Sequence, residues 1–570
     1  MTFKHCVAII ALGFSAAMLN AQGAKAPENW FTLDPVSDKV NGTGSDQALK
    51  NLKAKGKKSQ TIIVAVLDSG IDVEHEDLKD IIWTNPGEIA GNGKDDDGNG
   101  YVDDMHGWNF LGGKDGRSVN QETLELTREY VRLSKKYNNS NGANLTGDAK
   151  KEFDYWQGVK TKFEEARAEA EKDVADVEAQ LKTVDEAFEK VTKAIGKKEF
   201  TAEEAGKVNP GENAELKDAV ALVQRVMSRG LATSAAWADR KKEVRDQVSK
   251  PLQYNLNPDF NPRNIVGDDP NDLSNRYYGS NDYEGPDAFH GTHVAGIIAA
   301  VRNNNVGING IADNVRIMTV RCVPDGDERD KDVANAIYYA VDNGASIINM
   351  SFGKGYSPQK AYVDAAMKYA AAHDVLLVHA AGNDAENNDT DPNFPNDNYN
   401  KPVKAGLFKK DKNVPTWMEI GAFSWRPNEK RVAEFSNYGK KNVDLFSPGH
   451  QIYSTIPDSK YGNASGTSMA SPAAAGVAAL IRSYYPELSA KQVKEIMENS
   501  VAKQEGEVYK PGTTEKVSFA ELCVSGGIVS ATNAVALAEK TKGKKVKGAI
   551  WQQAGMGKAP KNGKAKVATP

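Results

Sequence analysis

An alternation of strand-like and helix-like segments constrains this chain most. Residues 61–67 read Thr-Ile-Ile-Val-Ala-Val-Leu, a near-continuous β-branched run of the kind buried on both faces of a parallel sheet. Residues 315–320, 346–350 and 375–379 are further runs of this type, and helical stretches at 333–343 and 359–372 separate them. Residues 417–422 and 443–445 predict two more strands, and residues 45–53, 490–499 and 531–539 predict helices. Strand and helix in alternation give an α/β fold built on a doubly wound, mostly parallel sheet. Such sheets place their sites beyond the carboxyl ends of the strands.

Polar residues stand at those ends. Asp68 closes the first run in Val-Leu-Asp-Ser-Gly-Ile-Asp, where a carboxylate is either an Asx-turn residue or part of a site. The run at 346 ends in Ser351-Phe352-Gly353, and the run at 375 in Ala380-Ala381-Gly382-Asn383. His290, in His-Gly-Thr-His-Val-Ala-Gly, opens an apolar helix at 294–301. Ser468, in Gly-Thr-Ser-Met-Ala-Ser-Pro, precedes a small-residue apolar run at 469–481. A hydroxyl there sits beside unpaired backbone N–H groups and the positive end of the helix dipole. It reads either as a helix cap or as a nucleophile whose developing charge the helix stabilises.

Residues 92–104 read Asn-Gly-Lys-Asp-Asp-Asp-Gly-Asn-Gly-Tyr-Val-Asp-Asp. Asp95, Asp97 and Asn99 alternate, Gly100 permits a turn, Tyr101 offers a carbonyl and Asp103 follows, which is the front half of a calcium loop. Position 12 is His106 where an EF-hand has Glu, which argues against an EF-hand proper. Without a cation so many carboxylates would repel one another, the alternative being an acidic surface turn.

Residues 122–250 change character, being rich in Lys, Glu and Ala and poor in Gly and Pro. Ala170, Val177, Val184 and Val191 with Val174, Leu181, Phe188 and Ile195 form a heptad seam, predicting a coiled-coil-like helix with a return helix at 214–229. This inserted arm at 119–262 is either a structural or self-associating element or one governing substrate access. The domain organisation expected is a signal peptide at 1–21, a first core segment at 22–118, the arm, a second core segment at 263–540, and a disordered Lys/Gly-rich tail at 541–570.

The leader has Lys4 and His5, an apolar run at 7–19 too short to span a bilayer, and Ala21 before the cut, which predicts export to the cell envelope, the periplasm or the medium. Cys6 begins that run and makes no lipoprotein site. No other run is long enough to cross a membrane. A net charge of −5 gives no reason to expect nucleic acid as partner. Cys322 and Cys523 read as two separate buried thiols, with pairing as the alternative.

Taken together, the four motifs around Asp68, His290, Asn383 and Ser468 resemble those of the subtilisin-like serine proteases (subtilases), in that family's order of Asp, His, Ser. The resemblance covers residues 30–115 and 264–539, and neither the arm nor the tail. It implies a serine endopeptidase acting on proteins or peptides through an acyl-enzyme, with Ser468 as nucleophile, His290 as base and Asp68 orienting the imidazole. Asn383 would donate to the oxyanion beside the Ser468 N–H. Ser351, Phe352 and Gly353 would pair with substrate as an added strand, and Ala381 and Gly382 would belong to the same cleft. His293 would pack inside. A second calcium site at Asp77 and Asn304 is implied. An esterase of the α/β-hydrolase type is excluded, since Ser468 lacks the Gly-x-Ser-x-Gly setting and the acid comes first. An inactive peptide-binding relative is the remaining alternative.

Three finer expectations follow. The loop at 324–332 borders subsites by resemblance and carries five carboxylates against two cations, predicting a preference for basic residues before the cut. Asn393 would lie near the floor of the primary pocket, where no buried carboxylate is evident, so a neutral residue is expected there. The core-like sequence begins near Trp30, so an active N terminus near Gln22, without an inhibitory prodomain, is expected.

Overall fold

The computed structural model describes residues 26–404, 410–544, 546 and 548–551. The leader at 1–21, with Cys6 and the N terminus at Gln22, lies outside the described residues. The described chain forms two compact units, one from residues up to 125 and from 261 onward, the other from 126 to 260.

The first unit is built on a nine-stranded sheet. In chain order its strands are β1 (Ile62–Asp68), β2 (Gly107–Asn109), β3 (Val315–Arg321), β4 (Ile347–Met350), β5 (Leu376–Ala380), β6 (Trp417–Phe423), β7 (Leu445–Pro448), β8 (Ala502–Lys503) and β9 (Gly527–Ile528). Across the sheet they run β8-β9-β7-β6-β5-β4-β1-β3-β2, parallel throughout except for the β8–β9 pair. This confirms the doubly wound reading. β1 shows why its sequence is apolar without a break. Val64 and Val66 enter one core cluster, Ala65 and Leu67 the other, so both faces are covered. Burying each Val, Ile or Leu side chain contributes about 1.5–3 kcal/mol.

The order of strands reverses at β1, whose neighbours are β3 and β4. A crevice beyond the carboxyl ends of β1, β4 and β5 follows from that reversal. Two helices of small residues border it. Helix α1 (Phe289–Ala299) and helix α2 (Thr467–Tyr484) pack on each other. Their glycines permit close approach. A Cβ on Gly476 would lie 2.7 Å from Ile311 Cβ, and one on Gly296 would lie 2.2 Å from Thr455 Oγ1. Helix α1 starts five residues before the sequence reading placed it, which puts His290 in its first turn.

Some expectations need correction. Residues 119–125 belong to the first unit rather than the arm, because Val119 is buried there and its carbonyl accepts from Arg321. The hairpin of Ile452–Ile456 with Lys460–Ala464, between β7 and α2, was not foreseen. The tail is packed at its start. Ala549 and Trp551 are buried, the Trp551 indole N–H donates to Asp374 at 3.2 Å, and the Arg482 guanidinium lies 4.3 Å over the ring. One large aromatic side chain outweighs a polar neighbourhood. Residues 552–570 of that tail lie outside the described residues. Cys322 and Cys523 are free thiols, buried in different core clusters.

In the second unit a 49-residue helix, Gly147–Ile195, carries the heptad seam. Ala170, Val177, Leu181, Val184, Phe188 and Val191 are buried, with Val174 and Ile195 at the margin. The seam is covered within the unit by helices Ala214–Met227 and Trp237–Lys250, and Phe188 stacks on Trp237 at 5.5 Å. Self-association through this seam therefore loses its basis, since the chain's own helices occupy it. Gly196, in the left-handed region at φ 70°, closes the long helix by donating to the Thr192 carbonyl. Among the described residues, no helix is long and apolar enough to cross a membrane.

Candidate active site

Asp68 ends β1 and is buried. Its Oδ1 accepts from the Ser69 N–H at 2.7 Å and lies 2.7 Å from His290 Nδ1. The strand end and helix α1 meet closely, since a Cβ on Gly291 would lie 2.1 Å from the Gly70 carbonyl oxygen and 3.2 Å from Asp68 Cβ. Burial opposes the charged form of the His290 imidazole, but the charge and hydrogen bond of Asp68, with Asp287 nearby, outweigh it and hold the ring above its ordinary pKa. His293, one turn on, is different. Burial, helped by the neighbouring His290, pushes it down to about 4. Its Nε2 lies 3.1 Å from the carbonyls of Ile452 and Gly462, so the ring packs inside as expected.

Ser468 occupies the first turn of α2. Its hydroxyl donates to the Ser351 carbonyl at 3.0 Å, while the Ser351 hydroxyl donates to the Ser468 carbonyl at 2.9 Å. Pro472 explains the second bond. Proline has no N–H to give to the carbonyl four residues back, so the Ser468 carbonyl is left for Ser351. The Pro in the motif thus ties the serine's backbone to the segment after β4.

Asn383 follows β5. Its Oδ1 accepts from the Thr467 N–H at 2.8 Å and from the Thr467 hydroxyl at 3.1 Å. Pinning the oxygen fixes the direction of the amide N–H₂. Gly382 donates its N–H to Thr467 Oγ1 at 3.1 Å, and a Cβ there would lie 2.5 Å from Asn437 Nδ2. The Ala381 carbonyl accepts from Asn388 at 2.9 Å and from Asn393 at 3.2 Å. Gly353 abuts Asn393, since a Cβ would lie 2.3 Å from its Oδ1. Asn393 is therefore wedged between the segments 351–353 and 380–382. Phe352 stands edge-on to His379 at 6.2 Å. A buried carboxylate that sequence reading did not place, Glu419, lines a polar cavity with Asn393. It is already engaged by His379 Nδ1 at 3.0 Å and by the Trp417 indole at 2.9 Å.

The acidic loop does not form an acidic wall. Asp330 pairs with Lys354 at 2.8 Å and Asp332 with Arg263 at 2.7 Å. Asp327 accepts from the Glu125 N–H at 2.7 Å and Asp325 from Gln121 at 2.9 Å. Glu328 is buried, and burial pushes its carboxyl up to about 7. The loop therefore offers fewer outward carboxylates than its net charge counts, with Asp325 exposed, because net charge along a loop says nothing about which way each carboxylate turns.

The acidic stretch at 92–104 divides in two. Asp95 and Asp97 bring carboxylate oxygens within 4.8 Å of one another and of Glu88. Burial raises the Asp97 and Glu88 carboxyls, with neighbouring aspartates adding to it. Asp103 turns away to accept from the N–H groups of Asn92 and Gly93, and the Asn99 oxygen accepts from Tyr101 N–H. Glu88 was missed by the spacing argument. Its only signal was a carboxylate in the turn Asn-Pro-Gly-Glu just before the loop. Asp77 and Asn304 do meet, at 2.7 Å, but as acceptor and amide donor, with Ile308 N–H on the other carboxylate oxygen.

The sheet, the strand-end carboxylate paired with imidazole, and the helix-opening serine define a subtilase. The subtilase family profile matches residues 59–520, and the chain belongs to that family of serine peptidases. It is 40% identical over 205 residues to a thermophilic serine proteinase of Bacillus sp. (strain AK1), covering 36% of this chain and 45% of that one. It is 37% identical over 218 residues to thermitase of Thermoactinomyces vulgaris, covering 38% and 68%. It is 34% identical over 230 residues to the cell wall-associated protease of Bacillus subtilis (strain 168), covering 40% and 23%. The chain thus spans less than half of the first of these relatives and about two thirds of the second.

Proposed function

We propose that the protein is an exported serine endopeptidase that cleaves proteins or peptides with Ser468, His290 and Asp68 through an acyl-enzyme. The observation that carries this reading is the 2.7 Å His290–Asp68 pair on a helix packed against the one that Ser468 opens. In the reaction Ser468 turns its hydroxyl from the Ser351 carbonyl to His290 Nε2 and attacks the scissile carbonyl. His290 takes the proton, and Asp68 stabilises the imidazolium. The oxyanion accepts from the Asn383 amide and the Ser468 N–H. His290 hands the proton to the leaving amine, and a water activated by the same ring releases the acyl group. The segment 351–353 receives the substrate backbone. Export rests on the leader, and the name of the cell wall-associated relative agrees with it.

A fluorophosphonate probe tests the chemistry directly. The native protein should label on Ser468, and Ser468→Ala should not label at all. A native protein that takes no label would favour a peptide-binding relative without activity.

Calcium fits the cluster of Glu88, Asp95 and Asp97, which offers hard anionic oxygens whose mutual repulsion a divalent cation would relieve. The ion would hold the loop 88–104 to the core. A ligand bound only by the native state stabilises it by about 4.1 kcal/mol at a thousandfold excess over Kd. Chelation should therefore lower the melting temperature of the native protein and much less that of Asp97→Ala or Glu88→Gln. Identical melting curves for the native protein with and without chelator would remove the site. The Asp77–Asn304 pair is a weaker candidate, because both carboxylate oxygens already accept N–H bonds.

A further inference from the structure

Arg321 is fully buried at the carboxyl end of β3, in register with Asp68 on β1. Its guanidinium donates to four neutral groups. Nε donates to the Ser69 carbonyl at 2.7 Å, one terminal nitrogen to Asn109 Oδ1 at 3.2 Å and Ser118 Oγ at 3.3 Å, and the other to the Val119 carbonyl at 2.6 Å. Among the described residues no carboxylate is ion-paired with it. Burial pushes its pKa down to about 10. A buried cation held only by neutral acceptors costs free energy that a methionine of similar volume would not. The partners show what the guanidinium does instead.

Ser69 is the residue whose N–H orients the Asp68 carboxylate, at 2.7 Å. It precedes Gly70, which has φ 124° and where a Cβ would lie 1.9 Å from the Glu284 carbonyl oxygen, so the turn is packed closely. Asn109, Ser118 and Val119 lie on the chain entering the helical insertion. Gly285 lies on the chain leaving it, and a Cβ there would lie 2.2 Å from Arg321 Nε. Five residues later comes His290. One guanidinium therefore ties the Asp68 turn to the chain entering the insertion and packs against the chain leaving it.

We propose that Arg321 is a positioning residue for the reaction, holding the Ser69 peptide so that the Asp68 carboxylate meets His290 in a fixed direction. This rests on the serine-peptidase reading of the site. The planar fork is what reaches several acceptors at once, and a lysine in its place keeps the charge but reaches fewer of them. Loss of the Ser69 contact lets the carboxylate and the imidazole shift together, and a misplacement on the order of 1 Å costs up to about 100-fold in rate.

The test compares the native protein, Arg321→Lys, Arg321→Met and Ser118→Ala by the rate of inactivation with a fluorophosphonate and by steady-state cleavage of a peptide. In Arg321→Lys the limiting inactivation rate and kcat should each fall by about 10- to 100-fold, with the inhibitor constant and KM within twofold of native. Ser118→Ala removes a partner on the side away from Ser69 and should lower the melting temperature with kcat unchanged. Arg321→Met gives the same reading if the lysine variant does not fold. Native kcat in either folded Arg321 variant overturns the proposal, as does an equal loss in Ser118→Ala, which would mean general loosening. If the native protein itself takes no label, the serine-peptidase reading has failed, and that outcome is distinct from a labelled Arg321→Lys that reacts at the native rate.

Discussion

Ser468→Ala should lower kcat for peptide cleavage by about 10⁶, His290→Ala by the same order, and the double variant by no more than either alone, magnitudes carried over from enzymes of this family. The reason is that in the proposed reaction nucleophile and base act as one unit. Without the imidazole the hydroxyl keeps its proton, and without the hydroxyl the imidazole has nothing to activate. Steady-state kinetics on purified variants, with labelled active sites counted, measure this. Losses that add in the double variant would break the pairing, and near-native activity in Ser468→Ala would remove it. The pH dependence carries a second reading. In the proposed reaction the base works as the neutral ring, and Asp68 with Asp287 holds the His290 imidazole above its ordinary pKa. The fall of kcat/KM towards acid should therefore begin above the usual imidazole range. Asp287→Asn removes a charge that favours the imidazolium, so it should move that limb to lower pH.

Asn383→Ala should lower kcat by about 10²–10³ with little change in KM, again a magnitude carried over from the family. The structural argument is the pinned oxygen. With Oδ1 held by the Thr467 N–H and hydroxyl, the amide N–H₂ is presented without reorganisation when the oxyanion forms. A hydrogen bond made only in the transition state affects kcat and not ground-state binding. Thr467→Val deletes one of the two restraints and keeps the other, so its loss should be smaller. Kinetics on a single peptide substrate decide between this and a turn role. An Asn383→Ala variant with a raised KM and native kcat would place the amide in substrate binding instead.

Much of the fold was legible because its physics is local. A strand covered on both faces must be apolar at every position, and β1 shows this from Ile62 to Leu67. Heptad spacing over residues 170–195 predicted a long helix for the same reason. The four polar residues at element ends stood out because apolar runs stop before Asp68 and Asn383 and start just after His290 and Ser468. What failed were inferences that needed direction. The loop at 324–332 counted as acidic, yet Asp330 and Asp332 turn inward to Lys354 and Arg263. The seam and its return helix at 214–229 were legible from spacing, yet the second helix that covers the seam, Trp237–Lys250, was not.

Composition and periodicity alone therefore establish the α/β class, the long helix and the identity of Asp68, His290, Asn383 and Ser468 as residues at the ends of core elements. They do so because burial patterns repeat along the chain with the period of each element. Tertiary structure alone decides that Asp68 and His290, 222 residues apart, stand at 2.7 Å, that Glu88 joins Asp95 and Asp97, and that Arg321 reaches Ser69 and Val119 at once. Those contacts depend on where strands lie across the sheet and which way side chains turn, and neither leaves a periodic trace in the order of residues.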